Sequence, residues 1–90
     1  MEGLPLERFV GPDGLMLLLS LIAEGEMPIT HLLELVKRVH IPGYEATREL
    51  FSEAIHGGAV APLIREGFYL QSETHEVLTW AVNSFPRPHV

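Results

Sequence analysis

The 90-residue chain contains no cysteine, which excludes a disulfide framework, a thiolate metal site and a cysteine nucleophile. It also lacks a long hydrophobic run, because the longest one, "LMLLLSLIA" at 15 to 23, is too short to cross a bilayer. No basic leader or small-residue cleavage site accompanies that run, since Glu2, Glu7 and Asp13 precede it. These absences predict a cytoplasmic protein with one small domain.

Positive charge is scarce in this sequence. Six Lys and Arg residues stand against twelve Asp and Glu residues, for a formal net charge of −6. Such a balance argues against strong non-specific binding to nucleic acid, which depends on neutralising phosphates. The exception is one mildly basic stretch, residues 30 to 48, which holds Lys37, Arg38 and Arg48. We expect an anionic partner, if there is one, to be met there.

The polar residues form no recognisable catalytic or metal-binding pattern. His31 and Glu34 lie one helical turn apart with His40 nearby, but a zinc site needs three or four converging ligands. Ser52 and His56 are also one turn apart, yet no third group orients the histidine and no oxyanion turn follows. The sequence therefore predicts no metal, no cofactor and no enzymatic activity.

Four helical patterns, separated by glycine and proline, account for most of the chain. They are predicted over about 14 to 23, Thr30 to Val39, Tyr44 to His56 and Ser72 to Phe85. Asp13, Thr30 and Ser72 are each placed to cap the free N–H groups of a first turn. Gly25 ends the first helix, and "HIPG" predicts a tight break after the second.

The first helix is apolar on every side, with Ser20 almost alone as a polar residue. A helix of this kind must be covered on both sides, and a small domain has little with which to cover it. We therefore predict a homodimer whose interface includes Leu15, Leu19 and Trp80, since aromatic side chains are enriched at such surfaces. The alternative is that these residues complete a single small core.

Residues 57 to 71 show a different pattern, with two glycines followed by short apolar runs around "REG". We predict two strands, 59 to 64 and 68 to 71, in a hairpin whose loop uses the positive φ available to Gly67. Pro62 cannot donate to a ladder, so its strand is predicted at an edge. The expected fold class is α+β, mostly α, with three helices, a short two-stranded β-hairpin and a C-terminal helix.

This order of elements resembles a winged helix-turn-helix domain. The stretch "LFSEAIHGGAVAPLIREGFYLQSETHEVL" is similar to the end of a recognition helix, a wing and an acidic-capped final helix. "MPITHLLELVKRVHIPG" is similar to the short first strand, threonine cap and second helix of that family. The resemblance covers about residues 14 to 85, between an N-terminal arm at 1 to 13 and a tail at 86 to 90. It rests on spacing and on no invariant ligand or catalytic residue.

The resemblance implies a small transcriptional regulator or accessory factor that binds double-stranded DNA as a homodimer, with 44 to 56 as its recognition helix. The residues that would then probe bases are Tyr44, Thr47, Arg48 and Ser52. The residues that would touch phosphates are Lys37, Arg38, His40 and, at the tip of the wing, Arg65.

A second hypothesis stays open beside DNA binding. The presumed recognition face carries Glu45, Glu49 and Glu53, and so few cations would bind DNA weakly unless two copies act together. The alternative is an acidic protein–protein interaction module of the same fold that binds no DNA and turns this glutamate face to a basic partner. Neither hypothesis involves a membrane.

The candidate cations also have purely structural interpretations. Arg48 lies within one turn of Glu45 and Ser52 and would pair with either on a solvated face. Lys37 and Arg38 fall in the last turn of the second helix, where cations complement the helix dipole without any ligand.

Overall fold

The computed structural model describes residues 6–57, 60–66 and 71–85. Its elements are a 3-10 helix Leu6–Phe9 and the α-helices α1 Pro12–Ala23, α2 Thr30–Arg38, α3 Glu45–His56, α4 Val60–Glu66 and α5 Ser72–Ser84. No strand occurs within the described residues. The protein is therefore a small helical globule, and the predicted α+β winged helix-turn-helix fold with a β-hairpin wing is wrong.

Residues 60–66 form α4, where the first strand of the hairpin was predicted. Pro62 lies in the first turn of this helix, where its missing N–H group removes no intrahelical hydrogen bond. Val60 and Ile64, one turn apart, are its buried residues. Periodicity does not distinguish a strand from a buried helix in so short an apolar run. Arg65 and Glu66 of the predicted loop belong to α4. Its last residue, Gly67, and most of the second predicted strand, residues 68–70, lie outside the described residues.

The other helices lie close to their predicted positions, but their caps differ. Gly11, with φ −83° and ψ 174°, is the N-cap of α1, and Pro12 occupies the first helical position. Asp13 lies in the first turn of α1 and does not cap it. At α2 and α5 the N-caps are Ile29 and Gln71, each one residue before the predicted position, and neither makes a side-chain capping bond.

The core explains how one copy covers the apolar helix α1. That helix packs against the 3-10 helix, α3 and α4, and its buried residues include Leu15 and Leu19. These two side chains, predicted at a dimer interface, are 0% and 3% exposed in the core of a single chain. The outermost apolar residue of α1 is Leu17, which stays half exposed.

Helices α2 and α5 are neighbours in the fold. α2 packs against the 3-10 helix and α5, while α5 also packs on α3 and α4. Two large apolar side chains of this pair remain at the surface, since Leu33 is 39% and Trp80 is 52% exposed. Trp80 thus reaches outward from the core stripe of its helix.

Candidate functional site

An open apolar groove of about 610 Å³ lies between α2 and α5. Its lining residues are Leu33, Val36, Lys37 and His40 from α2, and Glu76, Val77 and Trp80 from α5. Residues three and four positions apart share one face of a helix, so each helix contributes one continuous wall. Lys37 and Glu76 are the charged members, and neither forms an ion pair with a described residue. The groove is therefore an apolar hollow whose lining holds one cation and one anion, both unpaired as far as the described residues show.

A series of aromatic rings connects this groove to the core. The ring centroids of Trp80 and His40 are 5.8 Å apart, those of His40 and Phe85 4.7 Å, and those of Phe85 and Phe51 5.4 Å. Phe51 and Phe85 are buried. Aromatic pairs of this kind stabilise a fold by about 0.5–1.5 kcal/mol each. Packing in the interior thus fixes the position of the groove wall.

His40 belongs to this wall and is held on two sides. Its Nδ1 lies 2.8 Å from the carbonyl oxygen of Val36. A carbonyl oxygen only accepts, so Nδ1 carries the donated proton. The residue predicted to touch a phosphate is placed instead among the rings of the groove.

Arg48 spans the turn between α2 and α3, the predicted break, where Gly43 has a positive φ of 98°. Its Nε–H group donates to the carbonyl of Val39 at 2.6 Å, and its Nη2 donates to the carbonyl of Ile41 at 3.3 Å. Carbonyl groups at the end of a helix otherwise have no intrahelical donor. The guanidinium predicted to contact a base edge therefore closes the end of α2.

Removing this guanidinium is expected to destabilise the fold. Arg48→Ala should lower the free energy of unfolding by about 1–3 kcal/mol, because two carbonyl groups lose a charged donor. Arg48→Lys should recover little of this, since one ammonium lacks the planar fork. Glu49→Ala, on the exposed face of α3, should stay within about 0.5 kcal/mol of wild type. Urea unfolding followed by circular dichroism measures all three, and an unchanged midpoint for Arg48→Ala would show that its bonds are not maintained.

Arg38 is paired with another side chain, and Ser52 is buried. An Nη atom of Arg38 lies 3.3 Å from a carboxylate oxygen of Glu7, so the arginine ties α2 to the 3-10 helix through an exposed pair worth about 0–1 kcal/mol. Ser52 is 7% exposed, which removes it from the surface that would meet a base.

The other predicted DNA-contacting residues do not converge on one surface. Lys37 lines the groove between α2 and α5, whereas Arg65 lines a separate hollow of about 80 Å³ formed by α3, α4 and α5. Tyr44 and Thr47 are half-buried at the start of α3. The cations of the mildly basic stretch, Lys37, Arg38 and Arg48, thus have different structural surroundings.

The outer face of α3 is acidic, as its sequence predicts. Glu45, Glu49 and Glu53 are exposed there, beside the half-exposed Leu50. Hydrogen bonds from the backbone N–H groups of Glu45 itself and of Gly43, together with the nearby guanidinium of Arg48, lower the pKa of the Glu45 carboxyl. The helix predicted to enter a DNA groove therefore begins with a carboxylate that stays ionised.

Two histidines link different helices. Nε2 of His56 lies 2.7 Å from the carbonyl oxygen of Phe85, and Nε2 of His75 lies 2.9 Å from that of Ile64. Across the part of the chain that the structure describes, no cluster of three or more His, Asp or Glu side chains is placed to hold a metal ion. Among the same residues, no helix combines the length and the apolar character needed to cross a membrane.

Sequence reasoning identified three members of the groove, Lys37, His40 and Trp80, but assigned them to different surfaces. It missed the apolar lining from α2 and the residues Glu76 and Val77 of α5. One feature of the sequence could have indicated the groove. Each helix has an apolar residue beside its core stripe, Leu33 in α2 and Trp80 in α5. Whether these two side chains lie on the same groove depends on how α2 and α5 pack.

No protein-family model, no curated protein and no solved structure matches this chain. The resemblance to winged helix-turn-helix domains accordingly gains no relative that would support it.

Proposed function

We propose that this protein is a cytoplasmic protein–protein interaction module that binds a basic, amphipathic helical segment in the α2–α5 groove. The observation that carries the proposal is the groove itself, an open apolar hollow with half-exposed Leu33 and Trp80 in its walls. An amphipathic helix places its apolar face in grooves of this kind through side chains spaced three and four residues apart. Exposed apolar surface of this type marks interaction sites on small proteins.

Charge favours a basic segment as the occupant. The chain carries a formal net charge of −6, and α5 exposes Glu73 and Glu76 along the side that forms the groove. Lys37 is the single cation of the lining. A helix that presents leucines to the hollow and lysines to its flanks would match both the apolar lining and the acidic surroundings. An acidic helix would meet like charges.

DNA binding stays a prediction with less support. The guanidinium groups of Arg48 and Arg38 are engaged by backbone carbonyls and by Glu7. Of the candidate cations, Lys37 and Arg65 lack a partner among the described residues, and they line different hollows. Phosphate contacts supply much of the affinity for DNA, so two separated cations offer little.

Fluorescence anisotropy with two labelled peptides tests the proposal. Both peptides carry leucines three and four residues apart, and the remaining positions are lysine in one and glutamate in the other. We expect micromolar binding of the lysine peptide and little binding of the glutamate peptide. Trp80→Ala should weaken the lysine peptide about tenfold or more, because it removes an aromatic anchor from the groove.

Glu49→Gln is the matched control, since it removes an exposed charge from α3 and leaves the groove unchanged. Its affinity for the lysine peptide should stay within about twofold of wild type. A Trp80→Ala protein that binds the lysine peptide as tightly as wild type, with a loss in Glu49→Gln, would mean that the peptide binds by charge alone and would contradict the proposal. Absence of binding to either peptide, with salt-sensitive binding to a mixed DNA duplex, would favour the DNA hypothesis instead.

A further inference from the structure

We infer that the helical segment in the groove belongs to a second copy of this chain, so that two copies pair through their α2–α5 faces about a two-fold axis. The inference rests on the proposed function, because it names the occupant of the same groove. It concerns the exposed surface of α2 and α5 and leaves the core of each copy as described.

In the pairing that we infer, the two-fold axis runs along the groove and exchanges its two walls. It therefore places α2 of one copy over α5 of the other. The basic segment of the proposed function is then α2, which carries Lys37 and Arg38 against Glu34, and it lies over the acidic α5. Each copy supplies a hollow and also side chains that project from it, namely Leu33 from α2 and Trp80 from α5. The indole ring of each copy can then enter the hollow of the other, and pairing removes from water the apolar surface that a single copy leaves exposed.

The charges of the groove are self-complementary under this exchange. Lys37 lies on α2 and Glu76 on α5, both are exposed, and neither is paired with a described residue. Exchange of the walls brings Lys37 of each copy toward Glu76 of the other. Two equivalent ion pairs can form, which fixes the register of the two copies and disfavours other arrangements.

The acidic face of α3 is a poor surface for a second copy. Pairing about a two-fold axis sets a face against itself, so the exposed Glu45, Glu49 and Glu53 would meet their own counterparts. Like charges opposed in this way are unfavourable. Leu50 is half exposed on that face, but charge favours the groove over it as the surface of self-association.

Sedimentation equilibrium and the emission of Trp80, the single tryptophan of the chain, test the inference over a dilution series. We expect a reversible dimer whose emission shifts to longer wavelength on dilution, as the indole ring returns to water. The lysine peptide should compete with the second copy and dissociate the dimer. Both signals should change over the same range of concentration.

Charge reversal identifies the surface. Lys37→Glu and Glu76→Lys each set like charges across the interface and should weaken the dimer about tenfold or more. An equimolar mixture of the two variants should restore association, because both cross-chain pairs are then of opposite charge. Glu49→Lys makes the same change of charge on α3 and should leave the dimer intact. Leu33→Ser provides an uncharged variant in case a charge reversal prevents folding.

The outcomes separate this inference from the proposed function. If the dimer affinity is unchanged by both charge reversals and by Leu33→Ser, the copies associate through another surface and the inference is overturned. A strictly monomeric wild type that binds the lysine peptide also overturns it, while the proposed function stands. A monomer that binds no peptide contradicts both.

Discussion

Gly14→Ala is expected to destabilise this protein by about 1–3 kcal/mol or more, although removal of a glycine from a helix is ordinarily stabilising. A Cβ atom on Gly14 would overlap the carbonyl oxygen of Arg8 and lie 2.8 Å from the Cα atom of Phe9. Both are backbone atoms, so the 3-10 helix would have to move away from α1. The gain of about 1 kcal/mol from alanine in a helix is too small to offset that displacement.

Gly11→Ser is the matched control at the other end of the same turn. A Cβ atom there meets nothing within 4 Å, and the extended backbone of Gly11 suits a serine N-cap. We expect this variant to equal or slightly exceed wild type in stability. Thermal unfolding measures both, at about 4–8 °C per kcal/mol for a domain of this size. A Gly14→Ala protein that melts at or above wild type would show that the 3-10 helix does not pack on α1.

Phe85→Ala is expected to cost about 3–5 kcal/mol, the usual range for truncating a buried phenylalanine. Its ring lies between those of Phe51 and His40, and its carbonyl oxygen accepts a hydrogen bond from His56. Truncation opens a cavity between the core and the groove. A small domain has about 5–15 kcal/mol in total, so this one change should remove much of it.

Phe85→Leu keeps most of the apolar volume and should cost less than about 1.5 kcal/mol. It still removes a ring from beside His40, so the emission of Trp80 should change while the fold persists. Urea unfolding followed by circular dichroism measures the stability of both variants. A Phe85→Ala protein as stable as Phe85→Leu would mean that the ring does not fill the interior.

Four of the five described α-helices could be placed from the sequence because their signals are local. Glycine and proline breaks and an apolar stripe are each contained within a single segment, although the predicted N-caps were wrong. The fourth helix was not predicted because Pro62 is equally compatible with an edge strand and with a first helical turn. That failure also affected the prediction of a dimer through Leu15 and Leu19, since α4 helps to cover α1 within one copy.

The candidate site was less predictable because its contacts leave little trace in the sequence. Arg48 was predicted to probe a base or, alternatively, to pair with Glu45 or Ser52. It donates instead to backbone carbonyls across the turn, and any residue supplies such an acceptor. Trp80 was predicted at an interface between copies, and its side chain is half exposed. The groove beside it forms because two helices that are far apart in the sequence pack side by side. Composition and periodicity do not predict which helices pack together.

One measurement tests the groove most directly, a titration of the isotopically labelled protein with the lysine peptide, followed by NMR. We expect the shifted amide signals to map to α2 and to the first two-thirds of α5, and the indole N–H signal of Trp80 to move most. Shifts concentrated around Glu45, Glu49 and Glu53, with the indole signal unmoved, would contradict the assignment of the α2–α5 groove as the binding surface.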